Sequence, residues 1–235
     1  MKLVIRQIFA EPIIVAGMHR SGTTYFVKAL KASGVFIGNH LDNNSESIPM
    51  IKYNEQVLFK SGLNWDEVGP FEFVPLFNLK YWLKHFLSYN KLKGISSIFK
   101  VLGRKKKWGW KDPRNTLTMR YWLSIFPKAK VIFIYRNGYD VAQSLYIRNN
   151  ELHNSNEHYS SKIKSIESAF KLWEKYNAHF YQMANEIPEE QLLVLKYEDI
   201  LSGNDIVMSA IDEFVKSSVS HHLKLNVKIT SNYLS

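Results

Sequence analysis

The chain has 235 residues, of which 46% are hydrophobic and 14% are aromatic. This composition excludes a disordered protein and supplies enough apolar surface for one α/β domain or two small domains. Lysine and arginine outnumber aspartate and glutamate by 31 to 21, and the net charge of +10 favours anionic partners. The absence of cysteine excludes disulfides, thiolate metal sites and cysteine nucleophiles. It fits a reducing compartment, and we expect a cytoplasmic protein.

The sequence contains no stretch with the roughly 20 apolar residues that a membrane-spanning helix needs. Near the N-terminus, Arg6 and Gln7 interrupt the apolar residues. This interruption predicts that the segment begins the folded domain and is not a targeting signal. We expect residues 1–235 to form a single domain.

A predicted phosphate-binding loop is the most informative feature of the sequence. Residues 13–16 form a short apolar run, and Gly17 and Gly22 lie in the loop that separates it from a predicted helix. Glycines let the backbone approach an anion closely, and a helix N-terminus adds free N–H groups. The spacing is that of a Walker A loop, but Thr23 replaces the lysine and Arg20 is the strong cation of the loop. The loop is therefore predicted to hold a phosphate, but not that of a Mg-nucleoside triphosphate.

Strands and helices are predicted to alternate along the chain, which favours βαβ units and a parallel sheet. Strands are predicted at residues 13–16, 130–135 and 191–197 and at the start of residues 108–114, and helices at residues 23–32, 116–126, 140–148 and 160–183. Residues 35–60 are polar and are expected to be irregular. An aromatic stripe at residues 77–86 indicates an amphipathic helix that either faces the core or lines an acceptor pocket.

Three polar clusters follow predicted strands, at residues 17–24, 111–114 and 136–144. Ligands of parallel sheets bind beyond the carboxyl ends of the strands, so we expect these clusters to converge. In the third cluster, Arg136 ends an apolar strand and Ser144 lies about two turns into the next helix. Both side chains suit one phosphate group, although a surface ion pair is the alternative role for the arginine.

The motifs GMHRSGTT at residues 17–24 and VIFIYRNGYDVAQSL at residues 131–145 together resemble the sulfotransferase family. WKDPR at residues 110–114 and LKYEDI at residues 195–200 are similar to patterns of bacterial and tyrosylprotein-type members. The resemblance extends over about residues 12–200. It implies a three-layer α/β fold like that of P-loop NTPases, with a central parallel sheet flanked by helices. It also implies transfer of a sulfuryl group from 3′-phosphoadenosine 5′-phosphosulfate (PAPS) to a hydroxyl or amine, with release of the bisphosphate product PAP.

The resemblance further implies roles for individual residues. Residues that would hold the 5′-phosphosulfate all lie in the loop: Arg20, Ser21, Gly22, Thr23 and Thr24. Arg20 would also stabilise the leaving phosphate, and Lys111 would lie beside the sulfuryl group. Arg136 and Ser144 would bind the 3′-phosphate, and Tyr197 would lie near the adenine. No metal is expected, because this donor has no β- and γ-phosphates to bridge.

The sequence leaves the general base open. Tyrosylprotein-type members use a carboxylate about twenty residues after the loop arginine, which suggests Asp42 or Glu46, with His40 as a third candidate. For each of the three, a solvated loop residue is the alternative. Asp112 is expected to orient its neighbouring cations. The glycine- and base-rich 3′-phosphate loop of many cytosolic members is not visible in residues 201–235.

Three alternatives stay open at this point, one of which is a catalytically inactive relative that keeps the fold. A P-loop kinase or other NTPase is opposed by the missing lysine and by Arg136, which stands where a Walker B strand has aspartate. A nucleic-acid-binding protein would use the +10 charge, but no RNA-binding motif is present, and we expect no nucleic-acid partner. Residues 35–100 are expected to shape the acceptor pocket, but they do not identify the acceptor. A sugar, a lipid, a phenol and a peptide tyrosine all stay open.

Overall fold

The computed structural model describes residues 11–69, 107–153 and 159–232, and the side chains of residues 11–69, 107–153 and 159–225. The predicted start of the domain in residues 1–10 and the aromatic stripe at residues 77–86 lie outside the described residues, as do the first three residues of the basic run at residues 104–107.

Four parallel strands form the sheet of the described chain, in the order β2-β1-β3-β4. The bounds of these strands are Ile13–Ala16 for β1, Gly109–Lys111 for β2, Lys130–Tyr135 for β3 and Leu192–Lys196 for β4. All four residues of β1 are buried, as expected for an interior strand whose two faces are both covered. The predicted bounds of β1 and β3 are confirmed.

Helices cover both faces of the sheet. Their bounds are Thr23–Ala32 for α1, Ile48–Lys60 for α2, Asn115–Ile125 for α3, Gly138–Glu151 for α4, Ile166–Ala184 for α5, Tyr197–Ser202 for α6, Asp205–Val215 for α7 and Val219–Asn232 for α8. Because side chains alternate along a strand, Ile14 packs with α2, α3 and α5, whereas Val15 packs with α1, α7 and α8. The predicted three-layer α/β arrangement is confirmed.

The prediction that residues 35–60 are irregular is wrong for their second half, because α2 spans Ile48–Lys60. Met50, Tyr53 and Val57 are buried against the sheet, and their spacing of three and four residues is helical. The polar residues before α2 obscured this apolar periodicity.

The helix predicted to begin at residue 160 begins at Ile166. The Ser165 hydroxyl accepts from the Ser168 backbone at 3.2 Å, and the Ser168 hydroxyl accepts from the Ser165 backbone at 2.9 Å. This reciprocal cap satisfies free N–H groups at the helix start and fixes its position. Helices α6 to α8 were not predicted, and α8 is tied to α1 by the Tyr25 hydroxyl, which donates to the Leu223 carbonyl at 2.7 Å.

Replacing Phe180 by alanine should lower the free energy of unfolding by about 3–5 kcal/mol. Phe180 of α5 is fully buried, and its ring stacks on that of Phe133 in β3 with 3.5 Å between centroids. Urea unfolding followed by circular dichroism measures this loss. Lys171→Ala, at an exposed position of the same helix, is the control and should change stability by about 0.5 kcal/mol or less. A loss at Phe180 no larger than that of the control would contradict its place in the core.

Candidate active site

The loop between β1 and α1 has a backbone shape that depends on its glycines. Gly17 and Gly22 have φ angles of +146° and +87°. A Cβ on Gly17 would lie 2.3 Å from the Ile134 carbonyl oxygen, and one on Gly22 would lie 2.2 Å from the Tyr197 ring. Both positions therefore need glycine for conformation and for space. The result is a tight turn that leads directly into α1.

Polar groups of this loop are available to an anionic ligand. Ser21 is fully buried, and its hydroxyl has no hydrogen-bond partner among the described residues. No side chain of the described residues caps the N-terminus of α1, and its first turn holds no acidic residue. An anion at this position would satisfy the hydroxyl and the free N–H groups together.

The structure brings Arg20, Ser144 and Arg136 together, as the convergence of the polar clusters predicts. The Nε of Arg20 donates to the Ser144 hydroxyl at 2.8 Å, and Nη1 of Arg136 lies 3.5 Å from the Arg20 carbonyl oxygen. Arg136 also pairs with Asp140 at 3.1 Å, and its guanidinium carbon lies 5.3 Å from the centroid of the Tyr197 ring. Arg20 and Ser144, expected at different anionic groups of the donor, are in direct contact in this conformation.

Lys111 links the end of β2 to the start of α1. Its Nζ donates to the Thr24 hydroxyl at 3.1 Å, to the Asn44 carbonyl at 3.4 Å and to Oε1 of Glu46 at 2.7 Å. Both members of the Lys111–Glu46 pair are buried. Burial raises the pKa of Glu46, and the Lys111 ammonium group opposes this rise. A cation and a carboxylate of increased basicity thus lie at the same end of the loop.

The three candidate bases differ in their surroundings. Oδ1 of Asp42 accepts from the backbone N–H groups of Asn44 at 2.9 Å and Glu46 at 2.7 Å, so this carboxylate holds a tight turn. His40 is exposed, and its carbonyl accepts from the Ile48 backbone. Among these three candidates, Glu46 is the side chain that contacts Lys111.

A buried ion pair between Arg114 and Asp112 lies next to Glu46. Arg114 is 1% exposed, and its guanidinium lies 3.2 Å from Asp112, 3.1 Å from Glu55 and 3.9 Å from Glu46. Asp112 accepts from Arg114 and from the Asn54 amide at 2.9 Å. Asp112 therefore orients a neighbouring cation as expected, and that cation is Arg114.

The family of the chain follows from its match to a protein-family model. A sequence model of the sulfotransferase family matches residues 12–220. This protein belongs to the sulfotransferase family. The match includes the loop between β1 and α1, strand β3 with the Arg136 that follows it, and the YEDI motif.

Solved sulfotransferase structures resemble this sulfotransferase in fold. The sulfotransferase domain from the curacin biosynthetic pathway is 17% identical with a TM-score of 0.56, and the match covers 88% of this chain and 74% of that domain. STF9 from Mycobacterium avium is 15% identical with a TM-score of 0.53, and the match covers 95% of this chain and 69% of STF9. STF1 from Mycobacterium tuberculosis H37Rv is 16% identical with a TM-score of 0.52, and the match covers 96% of this chain and 73% of STF1. No curated protein matches the chain in sequence. The predicted P-loop-like α/β fold is confirmed.

Sequence analysis missed Arg148 of this sulfotransferase. Arg148 lies one helical turn after Ser144 on α4 and is partly buried. Burial and the charges of Arg20 and Arg114 lower the pKa of Arg148, while Glu46 opposes this effect. The sequence feature that could have indicated Arg148 is its spacing of four residues from Ser144, because this spacing puts both side chains on one face of the helix.

A cavity of about 510 Å³ opens beside Arg136, on the side of α5. It is lined by Tyr135, Arg136, Asn137, Gly138, Asp140, Trp173, Asn177, Tyr181, Lys196 and Glu198. Of the predicted site residues, Arg136 alone lines this cavity, so the loop and the Lys111–Glu46 pair lie outside it.

The helices and the acidic and histidine side chains of the sulfotransferase bear on its predicted partners. In residues 11–69, 107–153 and 159–232, no helix combines the length and the apolar character that crossing a membrane requires. The same part of the chain holds no group of three or more histidine, aspartate or glutamate side chains placed to bind a metal ion.

Proposed function

We propose that this sulfotransferase takes its sulfuryl group from PAPS and transfers it by in-line displacement to a hydroxyl or amine of its acceptor. The observation that carries the proposal is the contact of the phosphate-binding loop with α4 and Arg136. Arg20 is bonded to Ser144 at 2.8 Å, and Arg136 lies against the Arg20 carbonyl. Cations at two neighbouring points suit a donor that has two separate anionic groups.

The residues present fit this donor. The uncapped start of α1 and the buried hydroxyl of Ser21 are suited to the 5′-phosphosulfate. Gly22, Thr23 and Thr24 complete that cradle. Arg136 and Ser144 would hold the 3′-phosphate, and the ring of Tyr197, which packs closely on Gly22, would flank the nucleotide.

The polar side chains also suit the chemistry of sulfuryl transfer. As the acceptor oxygen bonds to sulfur, the bond between sulfur and the bridging oxygen breaks, and negative charge grows on the leaving phosphate. Arg20 and Lys111 would stabilise that charge because they are held in place before the reaction. Glu46 would take the acceptor proton, and its raised pKa makes it a better proton acceptor than an exposed glutamate.

A screen with isotopically labelled PAPS tests the proposed reaction. Sugars, lipids, phenols and tyrosine peptides would each be offered to the wild type and to Lys111→Ala, with label transfer as the readout. The wild type should label at least one class, and Lys111→Ala should label it far more slowly. A wild-type protein that labels no acceptor class and does not bind PAP would contradict the proposal.

Removal of divalent metal ions should leave sulfuryl transfer unchanged. The site offers side-chain cations for the growing charge, and the donor has no β- and γ-phosphates that a metal must bridge. Initial rates of label transfer from PAPS would be compared with EDTA and with EDTA followed by excess Mg²⁺. A strict requirement for the added metal would instead indicate a phosphoryl-transfer type of site.

A further inference from the structure

Arg148 of α4 is a partly buried cation. Its guanidinium makes no hydrogen bond or ion pair with any residue that the structure describes. Among the described residues, its charged neighbours are Arg20 and Arg114, which repel it, and Glu46, which attracts it. Glu46 is already paired with Lys111 at 2.7 Å. Because arginine does not lose its proton in proteins, this positive charge is available to bind an external anion.

The donor does not explain this cation. Arg148 and Ser144 share one face of α4, and Arg148 lies about 6 Å farther along the helix axis. That step leads away from Arg136, which precedes the helix and is the proposed 3′-phosphate ligand. Arg20 and Lys111 already face the proposed phosphosulfate. An anion that binds Arg148 would therefore belong to another molecule.

The position of Glu46 indicates which molecule this is. A general base must reach the acceptor hydroxyl, so the acceptor binds next to Glu46. Arg148 senses the charge of Glu46 and projects from the same face of α4 as Ser144, which contacts Arg20. We infer that the acceptor carries an oxyanion group near its reactive hydroxyl, and that Arg148 binds this group. The inference rests on the proposed function, which it narrows to acceptors that bear a carboxylate, a phosphate or a sulfate ester.

Paired acceptors test this inference. Hydroxy acids would be compared with their neutral amides, and phosphate and sulfate monoesters of diols with the parent diols, using labelled PAPS. The wild type should prefer the anionic member of at least one pair. Arg148→Ala should lower kcat/KM for that member by about 10- to 100-fold, chiefly through KM, with a smaller effect on its neutral partner. The same substitution at Arg120, which pairs with Glu186 on the surface, is the control and should preserve the preference.

Binding measurements separate the failures of the two proposals. Anionic acceptors would be titrated into PAP-saturated wild type and Arg148→Ala, and PAP and PAPS affinities would be measured for both. The inference predicts acceptor binding that is lost in the variant, with both donor affinities unchanged. A variant that binds PAPS more weakly but PAP normally would assign Arg148 to the sulfuryl group and overturn the inference. A wild-type protein that binds PAP but prefers neutral acceptors, or binds no anionic acceptor, would overturn the inference about Arg148 alone. A wild-type protein that does not bind PAP would overturn both this inference and the proposed function.

Discussion

Glu46→Gln should lower kcat of sulfuryl transfer by about 10²- to 10⁴-fold, the usual contribution of a general base. Glutamine keeps the size of the side chain and an oxygen for Lys111, but it cannot take the acceptor proton. PAP affinity should stay close to that of the wild type, because Glu46 faces the acceptor in the proposed reaction. Single-turnover label transfer from PAPS and calorimetric titration of PAP measure the two effects.

The pH dependence of the same reaction provides a second readout. A base acts in its deprotonated form, so the wild-type rate should fall as the pH falls through the raised pKa of Glu46. This loss should occur at higher pH than an ordinary glutamate would give, and Glu46→Gln should lack it. Asp42→Asn is the matched control, because asparagine keeps the acceptor oxygen for the turn. Loss of activity in Asp42→Asn, with Glu46→Gln active, would transfer the role of base to Asp42.

Arg136→Ala should weaken PAP binding by about 10- to 100-fold, because in the proposed site Arg136 makes charge-assisted hydrogen bonds to the 3′-phosphate. AMP lacks that phosphate, so its affinity should change little. Calorimetric titration of both nucleotides into the wild type and the variant gives the comparison. In the variant, the affinity for PAP should approach that for AMP.

Arg120→Ala is the control for the loss of an arginine from a surface ion pair. Unfolding curves of both variants show whether the fold is intact. Arg136 is about a quarter exposed and pairs with Asp140, so its removal should have little effect on stability. An equal loss of PAP and AMP affinity would place Arg136 at the 5′ end of the nucleotide. Unchanged PAP affinity would remove it from the site.

The sheet was predictable because its strands are short apolar runs with clear ends. The apolar run at residues 131–135 lies between Lys130 and Arg136, and β3 spans Lys130–Tyr135 in the structure. The loop before α2 was predicted to be irregular, but its conformation was not predictable, since its turn depends on Asp42 holding the backbone of Glu46 and on a positive φ of 60° at Ser45. Such local hydrogen bonds leave little trace in apolar periodicity.

Sequence spacing located the loop and the strand ends of the site, but not the partners of its side chains. The Lys111–Glu46 pair joins residues 65 positions apart, and the Arg20–Ser144 bond joins residues 124 positions apart. Contacts across such distances depend on how the helices pack on the sheet. The surplus charge of Arg148 is likewise visible once its neighbours are known, because the sequence does not show which carboxylates are already paired.

Calorimetric titration of PAP and of Mg-ATP into the wild-type protein tests the proposed donor site most directly. A loop with Arg20 but no Walker lysine, next to Arg136, predicts that PAP binds more tightly than Mg-ATP and that EDTA does not alter PAP affinity. Tight binding of Mg-ATP together with no binding of PAP would contradict the proposed PAPS site.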